Sequence, residues 1–442
     1  MYDVYVNFAN TAGKMKPMHA VNNGPVHKFA EDQRISNLDA FIEAGIPYAR
    51  NHDASFCSTY GGEHCVDIVA LFPNFDADPT DPASYDFELT DELMRVYAAA
   101  GVKPFYRLGN KIEHWSKKYG TLPPKDFKKW AVICEHVIRH YNEGWANGME
   151  LGIEYWEIWN EADLDPDDAT HKRNWGGTAK EFFELYEIAA THLKASFPHL
   201  KIGGPALAGN MEWAEEFMKS LKPETPLDFF SWHRYAAVPE KIEKRANEID
   251  ELLRRYGRES TESICNEWNY VKGWTGEKWL YSLRREKDIK GAAFIAAVMA
   301  LSQKGPMDML MYYDARPCGM NGMFNTDFVC DKLKGYYPFY MFNKLFRLGT
   351  AAQCEGGADL YPVAATDGNR GALMFTHYND DDSTPEKSIS VKLEGIIGKK
   401  RLQIYQLDKE RDLELIRTLE IDGGAEIAMR LPLFGSILMI IE

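Results

Sequence analysis

The sequence lacks the patterns that mark several large classes of protein. Its seven cysteines are scattered and include no CxxC pair, which argues against a disulfide framework and against a zinc site. No apolar run is long enough to span a bilayer. The formal net charge is −15, so the chain has no excess of basic residues with which to bind a nucleic acid or an anionic membrane.

The N-terminal sequence MYDVYVNFAN also lacks the basic n-region and the apolar h-region of a signal peptide. With thiols that do not form a disulfide pattern, this predicts a cytoplasmic location. A secreted chain whose leader had been trimmed would look the same, so secretion stays open.

Strand-like and helix-like stretches alternate between about residues 17 and 348. Apolar residues at three- and four-residue spacing predict helices at 126–141, 178–197 and 287–305, the last apolar on most sides. Eight candidate strands lie at 18–22, 47–52, 103–109, 154–159, 201–206, 228–233, 263–268 and 309–314. Eight strand–helix repeats predict an α/β fold, a (β/α)8 TIM barrel. A doubly wound open sheet is the alternative, but neither GxGxxG nor GxxxxGK follows the first strand.

After about residue 348 the pattern changes to short alternating runs separated by turns, which predict a small C-terminal antiparallel β-sandwich. The opening run DVYVNF is expected to add a strand to it. The predicted domains are an N-terminal strand at 1–16, a catalytic barrel at 17–348 and the β-sandwich at 349–442. The polar segment 379–387 is predicted to be a solvated hairpin loop. The β-sandwich offers an interface for a homo-oligomer, which is left open.

Active sites of (β/α)8 barrels lie at the C-terminal ends of the strands. Among the polar residues found there, Glu161 and Glu267 each follow an aromatic strand end and adjoin an amide. Their strands are three apart, which places the two side chains across the barrel mouth from each other. Glycoside hydrolysis needs such a pair: one carboxyl protonates the leaving oxygen, and the other attacks the anomeric carbon or activates water. The alternative for each is a solvated loop carboxylate.

Several segments resemble a known family. WEIWNEADL, which contains Asn160 and Glu161, resembles the acid/base signature of clan A glycoside hydrolases, and SICNEWN resembles their nucleophile strand. The segments PPKDFKKWAVICEHVIRHY, FFSWHRYA and GYYPFYMFNKL are more specifically similar to glycoside hydrolase family 39, the β-xylosidases and α-L-iduronidases. The resemblance covers roughly residues 17–348. It implies a retaining, two-step hydrolysis of an oligosaccharide or glycoside, most like that of a β-xylosidase, without a metal or other cofactor.

The resemblance also implies roles for the two carboxyls. Glu161 is expected to be the general acid and then the base, with a raised pKa. Glu267 is expected to be the ionised nucleophile, with its carboxyl about 5 to 5.5 Å from that of Glu161. Asn266 and Asn269 are expected to donate hydrogen bonds that lower the Glu267 pKa.

Other residues at the strand ends are expected to bind the substrate. Asn160 is expected to bind the sugar 2-hydroxyl and Tyr235 to hydrogen-bond Glu267. For His233, a structural role remains an alternative to sugar binding. The remaining expected substrate-binding residues are His52, Asp53, Asp314 and Arg316.

Departures from the family pattern leave the sugar open. Ala162 stands where the family usually has proline, and Arg107 stands near the usual place of a carboxylate. Arg50, Arg107, Lys272 or Arg316 could pair with a uronide. A uronidase, an arabinosidase and an endo-acting clan A enzyme therefore remain alternatives. The segment 53–89 and the loop 269–287, with Trp274 and Trp279, are expected to wall a pocket and favour exo action.

Two readings from other classes remain. A metal-dependent barrel hydrolase would usually show an HxH motif after the first strand, and only His19 is present there. His52, Asp53, His64, Cys65 and His233 are its possible ligands. A sugar-binding protein with a decayed active site often lacks one of the two carboxylates, and both are present here.

Overall fold

The computed structural model describes residues 2–27, 36–54, 65–113, 120–326 and 330–442. The strands within these ranges are β1 (Val4–Lys14), β2 (Ala20–Asn22), β3 (Tyr48–Arg50), β4 (Lys103–Leu108), β5 (Tyr155–Ile158), β6 (Lys201–Leu207), β7 (Phe229–His233), β8 (Glu262–Trp268), β9 (Met309–Tyr312), β10 (Thr350–Gly356), β11 (Leu360–Thr366), β12 (Gly371–His377), β13 (Lys387–Glu394), β14 (Lys399–Leu407), β15 (Glu414–Asp422), β16 (Ala425–Leu431) and β17 (Ser436–Ile441). The α-helices are α1 (Leu38–Ala44), α2 (Ile68–Leu71), α3 (Glu88–Ala99), α4 (Phe127–Glu143), α5 (Ala179–Ser196), α6 (Met211–Ser220), α7 (Glu240–Arg255), α8 (Gly276–Glu286), α9 (Ile289–Lys304) and α10 (Tyr337–Phe346).

Strands β2 to β9 form a closed parallel barrel in which each strand pairs with the next and β9 pairs with β2. Every one of these strands begins and ends within two residues of its predicted position. The prediction of a (β/α)8 barrel is therefore confirmed. The C-terminal ends of β2 to β9 are called the barrel mouth below.

The helices around the barrel begin where capping side chains allow. Asp126 accepts hydrogen bonds from two backbone amides in the first turn of α4, and Thr178 and Glu181 form a capping box at the start of α5. These caps end the preceding loops within a residue of the predicted helix starts. The predictions of helices at 126–141 and 178–197 are confirmed.

Helix α9 is buried on nearly every side, as its apolar sequence predicts. It lies between the barrel and the C-terminal sheet, where it contacts β11 and β12 as well as the neighbouring helices α7, α8 and α10. An apolar surface all round suits this position, because one side of the helix faces the barrel and the other faces the sheet.

The C-terminal part of the chain forms a nine-stranded sheet within the described residues, in the order β15-β14-β17-β12-β11-β10-β1-β13-β16. All its pairs are antiparallel except β1 with β13. One apolar cluster receives side chains from all nine strands. The strand expected from DVYVNF is β1, and the mostly antiparallel C-terminal sheet is confirmed, whereas the boundaries 1–16, 17–348 and 349–442 stay predictions.

Strand β11 and the first half of β10 do not show an alternating pattern of exposure, because both of their faces are buried. Ala351, Val363 and Ala365 pack with the barrel cluster, while Ala352 and Ala364 belong to the cluster of the sheet. A strand between two apolar layers has no polar face, so the alternation that marks a half-exposed strand is absent.

The loop between β12 and β13 corrects one expectation. Asp380 accepts a hydrogen bond from the Tyr270 hydroxyl and Asp382 accepts one from the Tyr281 hydroxyl, both at 2.8 Å. Lys290 of α9, almost completely buried, is ion-paired with both aspartates at 2.9 and 2.7 Å. Most of the segment 379–387 is exposed, as expected, but it is not a hairpin loop, because β12 and β13 do not pair, and Asp380 and Asp382 bind the barrel.

In the parts of the chain that the structure describes, no helix combines the length and apolar character needed to cross a membrane. The location of the protein in the cell and its oligomeric state stay predictions.

Candidate active site

Glu161 enters the barrel mouth from a strained strand end. Trp159 and Glu161 have φ angles of 71° and 46°, a region that costs a non-glycine residue roughly 1–3 kcal/mol. The neighbouring strands hold this backbone in place: the Trp159 amide donates to the Leu108 carbonyl at 2.6 Å, and the Glu161 amide donates to the Ala206 carbonyl at 2.9 Å. Strands β4 and β6 therefore fix the direction of the Glu161 side chain.

Glu267 lies near the end of β8 with only 5% of its surface exposed. Its Oε1 accepts a hydrogen bond from Arg50 Nη1 at 2.8 Å, and its Oε2 accepts one from the Tyr235 hydroxyl at 2.8 Å. Both carboxylate oxygens thus have a strong donor. The expected contact between Tyr235 and Glu267 is present.

Glu161 has weaker partners. Its Oε1 lies 2.7 Å from His233 Nδ1, and its Oε2 accepts a hydrogen bond from Asn174 Nδ2 at 3.2 Å. His233 Nδ1 is also 3.5 Å from Glu267 Oε2, so the imidazole lies between the two carboxyls. One carboxylate oxygen of Glu161 lies within 4.8 Å of one of Glu267. This upper bound on one pair of oxygens is compatible with the roughly 5–5.5 Å between the carboxyl groups of retaining sites.

The Arg50 side chain lies beneath the two carboxyls and connects several residues of the site by hydrogen bonds. Besides Glu267, its buried guanidinium donates to Glu157 Oε2 at 2.7 Å, to Asn160 Oδ1 at 2.6 Å and to Asn22 Oδ1 at 3.2 Å. With its oxygen bound to Arg50, the Asn160 amide has its NH2 group as the donor that a substrate hydroxyl can use. Two carboxylates share the one guanidinium, which compensates part of the cost of burying their charge.

The two catalytic candidates differ in their acidity. Burial raises the pKa of Glu161 to about 7, against the attraction of Arg50 and Arg173. Burial and the repulsion of Glu161 also raise the pKa of Glu267 above its ordinary value, while His233, Arg50 and the Tyr235 hydroxyl oppose the rise. The expectation of a lowered Glu267 pKa is therefore wrong in direction. The donors do favour negative charge on Glu267, so at neutral pH we assign the shared proton of the pair to Glu161.

Asn266 and Asn269 were expected to donate hydrogen bonds to Glu267, and neither does. Asn266 Nδ2 binds Glu157 beneath the site, and Asn269 Nδ2 binds the carbonyls of Tyr313 and Met320. The register of β8 shifts between Cys265 and Trp268, and the Asn266 side chain crosses the barrel interior to Glu157 instead of reaching Glu267.

Asp53, Asp314 and Arg316 form a second polar cluster. Arg316 Nη2 lies 3.2 Å from Asp53 Oδ2 and Arg316 Nε lies 3.2 Å from Asp314 Oδ2. Lys111 Nζ pairs with Asp53 at 3.0 Å, and Asn23 Nδ2 donates to Asp314 at 3.0 Å. Burial opposes ionisation of Asp53, yet Arg316 and Lys111 hold the pKa of Asp53 well below its usual range. With Lys111 and Asn23, the cluster is a set of paired polar groups that follow the ends of four strands, β2, β3, β4 and β9.

His52 links this cluster to the catalytic pair. Its Nδ1 lies 3.3 Å from Arg50 Nη1 and 3.8 Å from Glu267 Oε1, and its ring packs edge-on against Tyr313. Burial lowers the pKa of His52 well below its usual value, so the ring is neutral. The neutral ring is therefore close enough to Glu267 to form a hydrogen bond with a ligand bound there.

Within the described ranges, the group of residues that could hold a metal ion is the catalytic one. Glu161, His233 and Glu267 each offer one ligand atom within 4.8 Å of the others. The guanidinium of Arg50, 2.8 Å from Glu267, would repel a divalent cation there, and Tyr235 occupies the other oxygen. The donor set therefore suits proton transfer better than metal binding. His64, one of the candidate ligands, lies outside the described residues.

Sequence reasoning missed two residues that shape the site. Asn174 reaches Glu161 from the loop after β5, and no pattern in that loop marks it. Glu157 precedes Asn160 by three residues in the chain. It is buried and ion-paired with Arg50, which gives it a structural role. A charged residue inside a buried parallel strand is the signal that could have identified Glu157.

Arg107, which stands near the usual place of a carboxylate in the family, is paired with a carboxylate from another segment. Arg107 Nη2 is bound to Asp67 Oδ1 and to the His52 carbonyl. Asp67 belongs to the segment 53–89 that was expected to wall the pocket. Residues 55–64 of that segment lie outside the described part of the chain, so the wall stays a prediction.

Comparisons with known proteins place this site in context. The model of the family described as glycosyl hydrolases family 39 matches residues 48–264. A β-xylosidase of Geobacillus stearothermophilus is 30% identical over 184 residues, which are 39% of this chain and 34% of that protein. A β-xylosidase of Caldicellulosiruptor saccharolyticus is 28% identical over 244 residues, 52% of this chain and 46% of that protein. The matches thus span less than half of either relative.

A solved structure agrees over the whole fold. The crystal structure of a glucosidase from Croceicoccus marinus has a TM-score of 0.81 at 21% identity, and the match covers 100% of this chain and 98% of that one. At this identity the likeness shows the fold, a barrel with a C-terminal sheet. The sequence matches show that this chain is similar to glycoside hydrolase family 39 over residues 48–264.

Proposed function

We propose that the protein is a retaining glycoside hydrolase that cleaves a terminal glycosidic bond by double displacement, most closely like a β-xylosidase. The observation that carries the proposal is the pair Glu161 and Glu267, with carboxylate oxygens within 4.8 Å and unequal hydrogen-bond partners. An acid and a nucleophile need such an arrangement, because one carboxyl must keep its proton while the other is ionised.

In the first step, Glu267 attacks the anomeric carbon while the bond to the leaving oxygen breaks. Glu161 donates its proton to that oxygen, so the leaving group departs as a neutral alcohol and Glu161 becomes ionised. The NH2 group of Asn160 is available to the sugar 2-hydroxyl, a contact that strengthens as positive charge develops on the ring. The product is a glycosyl ester on Glu267.

In the second step, Glu161 removes a proton from water, and the resulting hydroxide attacks the anomeric carbon and releases Glu267. Esterification has removed the negative charge of Glu267, so the pKa of Glu161 falls relative to the free enzyme. The contact with His233 suits both forms of Glu161, because a neutral imidazole with its proton on Nδ1 donates to Oε1 throughout, while Oε2 gives up the proton and takes it back. Two inversions give net retention.

The charges of the site favour a neutral sugar. Each of the four cations that could have bound a uronide has a carboxylate partner within the described residues: Arg50, Arg107, Arg316 and Lys272. Binding a uronate would require one of these pairs to open. Both named relatives are β-xylosidases, so a β-xyloside is the proposed substrate, with an arabinoside as the next candidate.

A decayed sugar-binding protein is disfavoured by the preserved surroundings of the carboxyls. Arg50 and Tyr235 hold Glu267 although neither is needed for sugar binding alone. Exo action, expected from the loops at 53–89 and 269–287, is part of the proposal.

A panel of 4-nitrophenyl glycosides tests the function. We expect turnover of the β-D-xyloside, with the β-anomer as the first product seen by proton NMR. An α-anomer formed first would overturn retention, and a uronide hydrolysed in preference would overturn the neutral sugar. Binding of sugars without turnover of any glycoside would support the decayed protein instead.

A further inference from the structure

Two tryptophans near the barrel mouth have no role in the mechanism above. Trp274 is 56% exposed, which is unusual for so large an apolar side chain, and its ring stacks on Trp279 at 5.4 Å and 25°. Both residues follow β8, the strand that carries Glu267. We call Trp274 and Trp279 the aromatic rim.

The aromatic rim contacts Tyr235, the residue that binds the catalytic Glu267. The ring of Trp274 packs edge-on against that of Tyr235 at 5.0 Å and 76°, and the Tyr235 hydroxyl binds Glu267. An exposed indole face therefore lies next to the pocket in which the glycosidic bond is cleaved.

The order of the strands in the barrel shows on which side of the two catalytic glutamates the aromatic rim lies. The strands that carry Glu161 and Glu267, β5 and β8, divide the barrel mouth into a side with β9, β2, β3 and β4 and a side with β6 and β7. The polar cluster of Asp53, Asp314 and Arg316 follows β3 and β9, on the first side. The rim packs on Tyr235, which follows β7, on the second side. The hydroxyl-rich ring of the terminal sugar fits the polar side, which leaves the leaving group on the side of the rim.

The C-terminal sheet holds the rim in place. Tyr270 precedes the rim in the chain and Tyr281 follows it, and their hydroxyls bind Asp380 and Asp382 of the loop between β12 and β13. Lys290 pairs with both aspartates from behind. The segment that carries the rim is thus fixed on both sides by one loop of the other sheet.

We propose that the aromatic rim is the binding subsite for the leaving group, where the indole of Trp274 stacks on a sugar or aryl ring, and that Asp380 and Asp382 position it. This rests on the proposed function and adds to it the chemistry of the aglycone: a flat-faced ring is preferred over a small alkyl group. Stacking on an aromatic face gains free energy from apolar contact without a charge or a hydrogen bond.

The test uses three glycosides of the sugar that the wild-type enzyme hydrolyses: methyl, 4-nitrophenyl and disaccharide. We expect Trp274→Ala to lower kcat/KM about ten-fold for the aryl glycoside and the disaccharide and less than two-fold for the methyl glycoside. Trp279→Ala, which does not remove the contact with Tyr235, should act in the same direction and less strongly. Leu280→Ala, an exposed leucine on the same helix, is the matched control and should change nothing.

An equal loss on all three substrates would overturn the subsite, because Trp274 would then act only by supporting Tyr235. Unchanged kinetics in both tryptophan variants would overturn it as well. If the wild-type enzyme hydrolyses no glycoside, the proposed function fails and the subsite with it, whereas wild-type turnover with either result above overturns the subsite alone.

The positioning role of the acidic loop has its own readout. Asp382→Ala should lower kcat/KM about three-fold for the disaccharide by raising KM, with kcat for the methyl glycoside unchanged. A fall in kcat for every substrate would contradict positioning and indicate general destabilisation.

Discussion

Around Glu267 the nearest donors are a guanidinium and a phenol, whereas around Glu161 they are an imidazole and an amide. The two carboxyls share one pocket and one fold, yet Arg50 contacts only the first. Burial disfavours the charge of both, so the local donors decide which one is ionised. The difference teaches that unequal hydrogen-bond donors divide two buried glutamates into an acid and a nucleophile, because Arg50 attracts the charge of both but donates a hydrogen bond only to Glu267.

Removing the acid should have the largest selective effect. Glu161→Ala should lower kcat/KM by about 10³-fold for substrates with poor leaving groups, which need a proton, and far less for activated aryl glycosides. Added azide should restore part of the turnover by attacking the glycosyl ester, and a glycosyl azide should appear by mass spectrometry. If all substrates lose activity equally and azide has no effect, the acid lies elsewhere.

Removing a hydrogen-bond donor of Glu267 should reduce the difference in ionisation between Glu267 and Glu161. Tyr235→Phe removes a hydrogen bond to a charged group and should lower kcat about 10- to 100-fold for every substrate. It should also move the acidic limb of the pH–rate profile upward, because the ionised form of Glu267 loses a donor. Tyr5→Phe, which removes a hydroxyl bound to Glu394 in the C-terminal sheet, is the control. An acidic limb that stays in place would show that Tyr235 does not tune Glu267.

The pH dependence should report the assignment of the proton. Glu161 acts as an acid only while protonated, and its raised pKa of about 7 implies that kcat/KM falls as the pH rises through that value. The fall should approach ten-fold per pH unit for poor leaving groups. In Glu161→Ala, assayed with an activated aryl glycoside, this alkaline limb should be absent. Its persistence would assign the limb to another group.

Chelation should have the smallest effect. Because two carboxyls and a water molecule complete the reaction, EDTA should leave kcat/KM unchanged. A loss of activity that a divalent ion restores would move Glu161, His233 and Glu267 into the role of metal ligands.

The eight barrel strands could be predicted because each is a short apolar run that ends in polar residues. The same ends predicted Glu161 and Glu267 as a pair, since the geometry of a barrel brings strand ends together regardless of loop structure. Strand β11 and the first half of β10 could not be predicted as clearly, because small residues between two apolar layers do not alternate with polar ones.

The partners of the site were less predictable than its members. Tyr235 was expected on Glu267, but Asn266 and Asn269 were assigned to it from proximity in sequence, whereas Arg50 reaches Glu267 from a distant strand. Likewise, the acidic run at 379–387 looks solvated in sequence, and only the fold shows Lys290 beside it. Contacts across the barrel and between the sheets depend on side-chain direction, which a single sequence does not contain.

The most direct test of the account is to trap the intermediate on Glu267. A 2-deoxy-2-fluoro glycoside of the hydrolysed sugar, with an activated leaving group, should inactivate the enzyme, because fluorine slows breakdown of the glycosyl ester more than the leaving group slows its formation. Peptide mapping should then place one fluoroglycosyl mass on SICNEWNY, residues 263–270. A label on Glu161 or on any other carboxylate would contradict the assignment of Glu267 as the nucleophile. It would also contradict the account that the donors around Glu267 keep its carboxyl ionised.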